Sequence, residues 1–164
     1  PRLAEVKAAK ERDGLNNVRI LDYFPREQLH LSLSTADVHL ISMRPEMTGI
    51  VVPGKLYGIM SAARPALFVG PPHCESADLI RRSEAGFTVE FGDAEGVVDA
   101  LQRLRADREL ARRMGERGRE AFLASHEMGL CCDQWHDLLD GLTAPARSAT
   151  RRPVTVVMKP AEVG

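Results

Sequence analysis

The chain has 164 residues, of which 44% are hydrophobic and 27% are charged, and these values are typical of one globular domain. Its formal net charge of -1 produces no overall basic field, so no nucleic acid is predicted as a partner. The 3 cysteines follow no disulfide or zinc spacing, which predicts reduced thiols, no metal site and no cofactor.

Short apolar segments alternate with helical patterns in the first half of the chain. Residues 2–12 predict a helix that ends at Asp13 and Gly14. Strands are predicted at 18–21, 38–41, 66–69 and 87–90, and the helices between them begin at Phe24, Pro53 and Glu75. This alternation predicts an α/β fold with a parallel sheet and helices on both faces. The strand at 38–41 is almost entirely apolar and is predicted to be buried on both faces.

Helical spacing dominates the chain after residue 92. Asp93 and Asp107 are predicted to cap two helices, and a last helix is predicted to end near Gly141. The arginines between positions 103 and 119 alternate with acids, which predicts a solvated, ion-paired helix face. Residues 1–141 are therefore interpreted as one domain. Residues 142–164 are interpreted as a linker and tail, in which 154–158 is predicted as one more strand.

The loop from Ser42 to Pro53, with the helix start that follows it, is the most informative part of the sequence. Ligands of parallel α/β sheets lie beyond the carboxyl ends of the strands, which is where this loop lies. The unpaired N–H groups and partial positive charge of a helix start favour an anion, and Lys55 adds a full positive charge. The segment therefore predicts a site for a phosphorylated small molecule.

Several segments resemble one enzyme family in the same order. They lie at 17–22, 33–38, 53–65, 85–93 and 112–119. The longest of them reads PGKLYGIMSAARP, where the family has PsKlyeimAaGrP. Together they resemble the C-terminal half of a retaining, nucleotide-sugar-dependent glycosyltransferase with two Rossmann-like domains (GT-B type). Within that type they are most similar to the group 1 family of bacterial polysaccharide and lipid glycosylation enzymes, over roughly residues 1–140.

The resemblance implies transfer of a sugar from a nucleotide diphosphate to an acceptor hydroxyl, with retention at the anomeric carbon and without a metal. Preorganised hydrogen-bond donors would stabilise the charge of the leaving diphosphate. The resemblance also implies that this domain holds the nucleotide-diphosphate sugar. An N-terminal domain that binds the acceptor, and the first strand of the donor domain, would precede Pro1.

The resemblance and the loop pattern together select the candidate site residues, and no catalytic residue is assigned. The donor-binding candidates are Glu46, Thr48, Gly49, Gly54, Lys55 and Gly58, and the candidates for a contact with the base are Phe24 and Arg26. Glu46 is predicted to contact the donor sugar or ribose, and Lys55 a phosphate. Thr48 and Gly49 are predicted to offer backbone groups, because glycine permits close approach.

The chain departs from the family pattern at three positions. Gly58 stands where most members carry the second acid of a Glu pair, Ala63 where they carry glycine, and Gly54 where they carry serine. The missing acid leaves two alternatives open beside a transferase. One is a non-catalytic nucleotide-binding module, and the other is a nucleotide-sugar epimerase of the same fold.

Location and further partners are also predicted from the resemblance and from the tail. The protein is expected in the cytoplasm, with attachment to the inner face of the membrane through the N-terminal domain. The apolar strand predicted at 154–158 is expected to pair with a sheet edge. Pairing with the edge of a second copy would give a homodimer.

Overall fold

The computed structural model describes residues 3–22 and 24–143, which form helices and strands in alternation. The helices are α1 (Leu3–Arg12), α2 (Leu29–Thr35), α3 (Lys55–Ser61), α4 (Glu75–Ser83), α5 (Ala94–Ala106), α6 (Arg108–Ser125) and α7 (Met128–Thr143). The strands are β1 (His39–Ser42), β2 (Ala66–Val69) and β3 (Gly86–Val89), and 3-10 turns lie at Arg26–Gln28 and Pro45–Met47. The chain divides into two compact units, Pro1–His126 and Glu127–Gly164. The strand predicted at 154–158 lies outside the described residues.

The three strands form one parallel sheet in the order β1-β2-β3. His39 pairs with Ala66, and Ala66 pairs with Gly86, so the strands begin level with one another. Parallel strands need crossover connections, and α3 and α4 supply them here. The predicted parallel α/β fold is confirmed.

Helices cover both faces of this sheet. On one face, Ile41 and Phe68 pack in a buried cluster with Leu56 of α3 and Ile80 of α4. The other face carries the alternate residues of each strand, and there the Arg103 guanidinium of α5 lies 4.6 Å from the ring centroid of Phe87. Burial of apolar side chains on both faces is therefore what holds the layers together.

The strand predicted at 18–21 is wrong. The segment has no regular structure, and the Val18 N–H donates to the Leu15 carbonyl across 3.2 Å in a turn instead. A β-strand exists only through hydrogen bonds to a neighbour, however suitable its side chains are. No strand of the described residues lies beside this segment, so the sheet has three strands and not four.

The burial predicted for the strand at 38–41 is also wrong on one face. Leu40 is 58% exposed, whereas Ile41 is buried in the core. β1 is an edge strand, and on the face that carries Leu40 the main contacts of α5 are with β2 and β3. The most deeply buried strand is the central one, β2, whose Ala66, Leu67 and Phe68 are inaccessible and whose Val69 is partly buried.

The predicted helix caps and ion-paired helix face are confirmed. The Asp93 carboxylate accepts from the Gly96 N–H across 2.8 Å, and the Asp107 carboxylate accepts from the Leu110 N–H across the same distance. Arg112 pairs with Glu109 and Glu116 on α6. The hydrogen bond from Arg112 holds the pKa of the Glu109 carboxyl below the usual value. Exposed pairs of this kind contribute little stability, so α6 depends mainly on its packed face.

Candidate functional site

Met43 and Gly70 form a floor of backbone atoms at the carboxyl ends of the strands. Beyond β1, the Met43 N–H donates to the Val69 carbonyl across 2.9 Å, and beyond β2, the Gly70 N–H donates to the Val89 carbonyl across 3.0 Å. A Cβ on Gly70 would lie 2.8 Å from the Met43 oxygen, so only glycine fits between these chains. The predicted loop leaves the sheet directly from this floor.

The loop is folded by its own hydrogen bonds. The Thr48 hydroxyl donates to the Pro45 carbonyl across 2.8 Å, and the Met47 carbonyl accepts from the N–H groups of Ile50 and Val51. Gly49 has a φ of 76°, in the left-handed region that favours glycine. Its N–H has no acceptor within the described part of the chain, so it is available to an added ligand.

The Thr48 hydroxyl thus already donates a hydrogen bond within the loop, whereas the carboxylate of Glu46, two residues earlier, remains available to a ligand. Glu46 is exposed and forms no ion pair or hydrogen bond within residues 24–143. A free carboxylate at the carboxyl edge of a sheet can accept hydrogen bonds from sugar hydroxyls. The structure does not give Glu46 a structural role that would compete with such a contact.

The loop leads directly into α3. Gly54 is its N-cap residue, has no side chain to cap the helix, and adopts an ordinary helical backbone with φ −58°. A Cβ there would meet nothing within 4 Å, so this position does not require glycine. Lys55 follows on the first turn, exposed and without an ion-pair partner among the described residues. Gly54 and Lys55 therefore lie beside the loop that carries Thr48 and Gly49.

Gly58 lies one turn further along α3, and α2 packs against it. A Cβ on Gly58 would lie 3.1 Å from Cδ1 of Leu33, so the side chain of Leu33 fills much of the space next to this position. A larger residue at position 58 would have to move that side chain. The absence of an acid here is thus accompanied by apolar packing from α2.

The candidates for a base contact lie outside this loop. Phe24 is 52% exposed, and Arg26 is exposed in the first 3-10 turn. No hydrogen bond or ion pair between described residues joins either of them to the segment 43–55. Thr48, Gly49, Gly54 and Lys55 therefore lie on one continuous segment that follows β1, and Phe24 and Arg26 are not attached to that segment.

Two further features of this edge escaped the sequence interpretation. Ile50, Val51 and Val52 are exposed in the loop, with Ile50 at 74%. A run of β-branched residues that is followed by proline and glycine was a usable signal, because such residues rarely stand in a loop without a packing or binding role. The close fit of Gly70 was signalled only by its place between a strand and two prolines.

The described residues show neither a metal site nor a membrane span. No group of three or more His, Cys, Asp or Glu side chains within residues 3–22 and 24–143 could hold a metal ion. Over the same ranges, none of the helices has the length and apolar character that crossing a bilayer requires.

A cavity of about 460 Å³ lies at the other edge of the sheet, beside the amino ends of β1 and β2. None of the candidate site residues lines it. Its size alone does not identify it as the donor site, because ligands of this fold class bind at the carboxyl edge.

Comparison with known proteins agrees with the fold. Residues 2–121 match the family model described as Glycosyl transferases group 1. The chain is also similar to a solved structure of sucrose-phosphate synthase from Thermosynechococcus elongatus, with a TM-score of 0.72 and 21% sequence identity. The match covers 85% of this chain but 34% of that chain, so this chain spans about a third of its length. No curated protein sequence matches the chain.

Sequence identity this low shows the fold alone, which is the Rossmann-like arrangement described above. The family match covers most of the chain and includes the loop, α3 and the arginine-rich part of α6. The chain therefore belongs to the group 1 family of glycosyl transferases.

Proposed function

We propose that this chain is the domain of a retaining glycosyltransferase that binds the nucleotide-diphosphate sugar. The observation that carries the proposal is the position of the 43–54 loop and the start of α3 at the carboxyl edge of the parallel sheet. Open parallel sheets bind their ligands at this edge. Membership of the group 1 family supports a glycosyl donor as that ligand.

The proposed contacts follow from the groups that the fold leaves unpaired. The Gly49 N–H and the ammonium group of Lys55 would take the diphosphate, and the Glu46 carboxylate would accept from hydroxyls of the sugar or ribose. In the reaction, the bond from the anomeric carbon to the diphosphate oxygen breaks. A bond to the acceptor oxygen forms on the same face, and the proton of the acceptor hydroxyl passes to the diphosphate oxygen that leaves. Positive groups beside the diphosphate favour that departure.

The rest of the enzyme is proposed to lie in an N-terminal domain that binds the acceptor. In support, this chain spans about a third of the length of the solved structure that it resembles. The chain alone is then expected to bind nucleotides without transferring sugar. The reaction is proposed to serve polysaccharide or glycolipid synthesis in the bacterial cytoplasm, with attachment to the inner face of the membrane through the N-terminal domain.

Isothermal titration of the chain with UDP, GDP and their sugars tests donor binding. Removing a charge-assisted contact costs roughly 1.5–3 kcal/mol, so Lys55→Ala should weaken binding by about tenfold or more. Lys7→Ala is the matched control, since Lys7 is an exposed lysine on α1. Equal affinities for the wild type and Lys55→Ala, or no binding of any nucleoside diphosphate, would contradict the proposal.

A binding-only module is the second candidate, and the packing of Leu33 against Gly58 favours it. The space next to position 58 is taken by an apolar side chain where most family members place an acid. Donor turnover by the whole protein separates the possibilities. Release of nucleotide that requires an acceptor supports a transferase. Conversion of the sugar without an acceptor supports an epimerase, and binding without any turnover supports the module.

The tail is proposed as a contact between two copies. β1 is an edge strand with Leu40 exposed, and an exposed edge can accept a further strand from another chain. Ending the chain at Gly141 should then reduce the dimer fraction measured by light scattering at several concentrations. A chain that is monomeric at every concentration before the truncation would rule out this contact.

A further inference from the structure

The cavity at the amino ends of β1 and β2 is lined by both apolar side chains and arginines. Val38, Pro65, Leu101 and Leu104 contribute apolar surface to it. Four arginines also line it, namely Arg64, Arg105, Arg108 and Arg112, against one acid, Asp37. Small-molecule sites combine an apolar lining with a few charged groups in this way, and a volume of about 460 Å³ lies within their usual range of about 300–1,000 Å³.

Three of these arginines lack a carboxylate partner. Arg112 is neutralised by Glu109 and Glu116, but Arg64, Arg105 and Arg108 form no ion pair within the described ranges. Uncompensated guanidinium groups beside apolar surface favour a planar oxyanion such as a phosphate or carboxylate. The charge of these arginines is therefore complementary to an anion.

Arg64, which also lines the cavity, has an unpaired donor. One of its terminal nitrogens donates to the Ser34 carbonyl across 2.5 Å, but its Nε is buried and has no acceptor among the described residues. Buried donors are nearly always paired, so this nitrogen lacks an acceptor that the described residues do not supply.

We propose that this cavity binds a soluble organic phosphate that carries an apolar chain. The phosphate would lie against Arg105 and Arg108, and the chain would lie on Leu101, which is 40% exposed, and Leu104. This site is separate from the proposed donor site. The four-residue strands place the two edges roughly 13 Å apart.

Octyl phosphate is the probe, titrated below its micelle concentration into the full chain. Octanol and inorganic phosphate are the matched controls, since each carries half of the proposed chemistry. We expect saturable binding of octyl phosphate that is about tenfold or more tighter than that of either control. UDP should not compete with it. Equal binding of octanol, or competition by UDP, would overturn the proposal whether or not the donor site is confirmed.

Variants locate the site. Arg105→Ala with Arg108→Ala should weaken octyl phosphate binding by about tenfold or more, because both charge-assisted contacts are lost. Asp37→Asn should strengthen it severalfold, because Asp37 is the one acid among the described residues that line the cavity. Arg103→Ala is the control on the same helix, since Arg103 lies over Phe87 and does not line the cavity.

Two results of these experiments would be decisive against the proposal. One is unchanged affinity in the double variant while its circular dichroism and thermal melt match the wild type. The other comes from an additional assay with vesicles that contain phosphatidic acid. If the chain binds these vesicles but does not bind octyl phosphate, the arginines contact a membrane surface instead.

Discussion

Gly115 on α6 lies directly against the carbonyl of Ala63, at the end of α3. A Cβ added to Gly115 would lie 2.1 Å from that oxygen, far inside van der Waals contact. The two helices are therefore as close as their backbones allow. Arg119 adds a hydrogen bond of 2.8 Å to the Ser61 carbonyl in the same region. This contact fixes how closely α6 approaches the end of α3, the helix that begins at Lys55.

Gly115→Ala is expected to destabilise the domain. The added methyl must push α6 away from backbone atoms that cannot move aside, and such overpacking costs about 1–3 kcal/mol or more. Urea unfolding measures the loss. Gly54→Ala is the control, because a Cβ at Gly54 meets nothing within 4 Å and the backbone is helical. A midpoint for Gly115→Ala equal to that of the wild type would show that this close approach is absent in solution.

Ala63→Gly is expected to stabilise the domain. Ala63 has a φ of 53°, where a side chain costs about 1–2 kcal/mol of folding free energy. Glycine removes this cost, but it also makes the unfolded chain more flexible, which lowers the free energy of unfolding by up to about 1 kcal/mol. A net gain of about 0.5–1 kcal/mol should raise the thermal midpoint. Ala62→Gly is the matched control. Its φ of −78° suits alanine, so that change should only destabilise.

Asp93→Ala and Asp107→Ala are each expected to lower stability by about 1 kcal/mol. Each carboxylate accepts from an N–H of the first helical turn that would otherwise lose its partner. Asp99→Ala, within α5, removes a carboxylate without removing a cap and should change stability far less. Equal losses for Asp93→Ala and Asp99→Ala in chemical unfolding would show that the cap contributes nothing.

The start of α7 is expected to weaken in acid. Hydrogen bonds from the backbone N–H groups of Gly129 and Leu130 hold the pKa of Glu127 below its usual value of 4.5. A lowered folded-state pKa stabilises the helix above the usual value, and the stabilisation is lost as the pH falls through the folded value. NMR shifts of the Leu130 N–H should report this titration. Glu127→Gln should remove that pH dependence, and its persistence would assign the titration to another group.

Much of the fold could be predicted because its signals are local. The strand at 66–69 and the caps at Asp93 and Asp107 depend on side chains within a few positions of each other. The segment 18–21 has strand-like side chains too, yet a strand also needs a partner, which no local pattern reveals. The exposure of Leu40 has the same origin, because it depends on which strand lies at the edge.

The candidate site could be predicted in part for a topological reason. Every loop that follows a parallel strand meets the same edge, so the position of the loop that carries Thr48 and Gly49 followed from the order of elements. The contact of Leu33 with Gly58 and the cavity beside Arg105 could not be predicted. Both depend on how helices distant in the sequence pack together.

The backbone floor at Met43 and Gly70 has a kinetic consequence. Their N–H groups continue the hydrogen-bond ladder of the sheet, and those of Ile50 and Val51 end on a carbonyl within the same exposed loop. Exchange of the first pair with deuterium should require opening of the sheet itself, whereas the second pair should exchange through motion of the loop alone. A ligand that binds at this edge would therefore contact two kinds of backbone. The floor at Met43 and Gly70 keeps its conformation between binding events, whereas the loop that carries Ile50 and Val51 can change its conformation when the ligand binds.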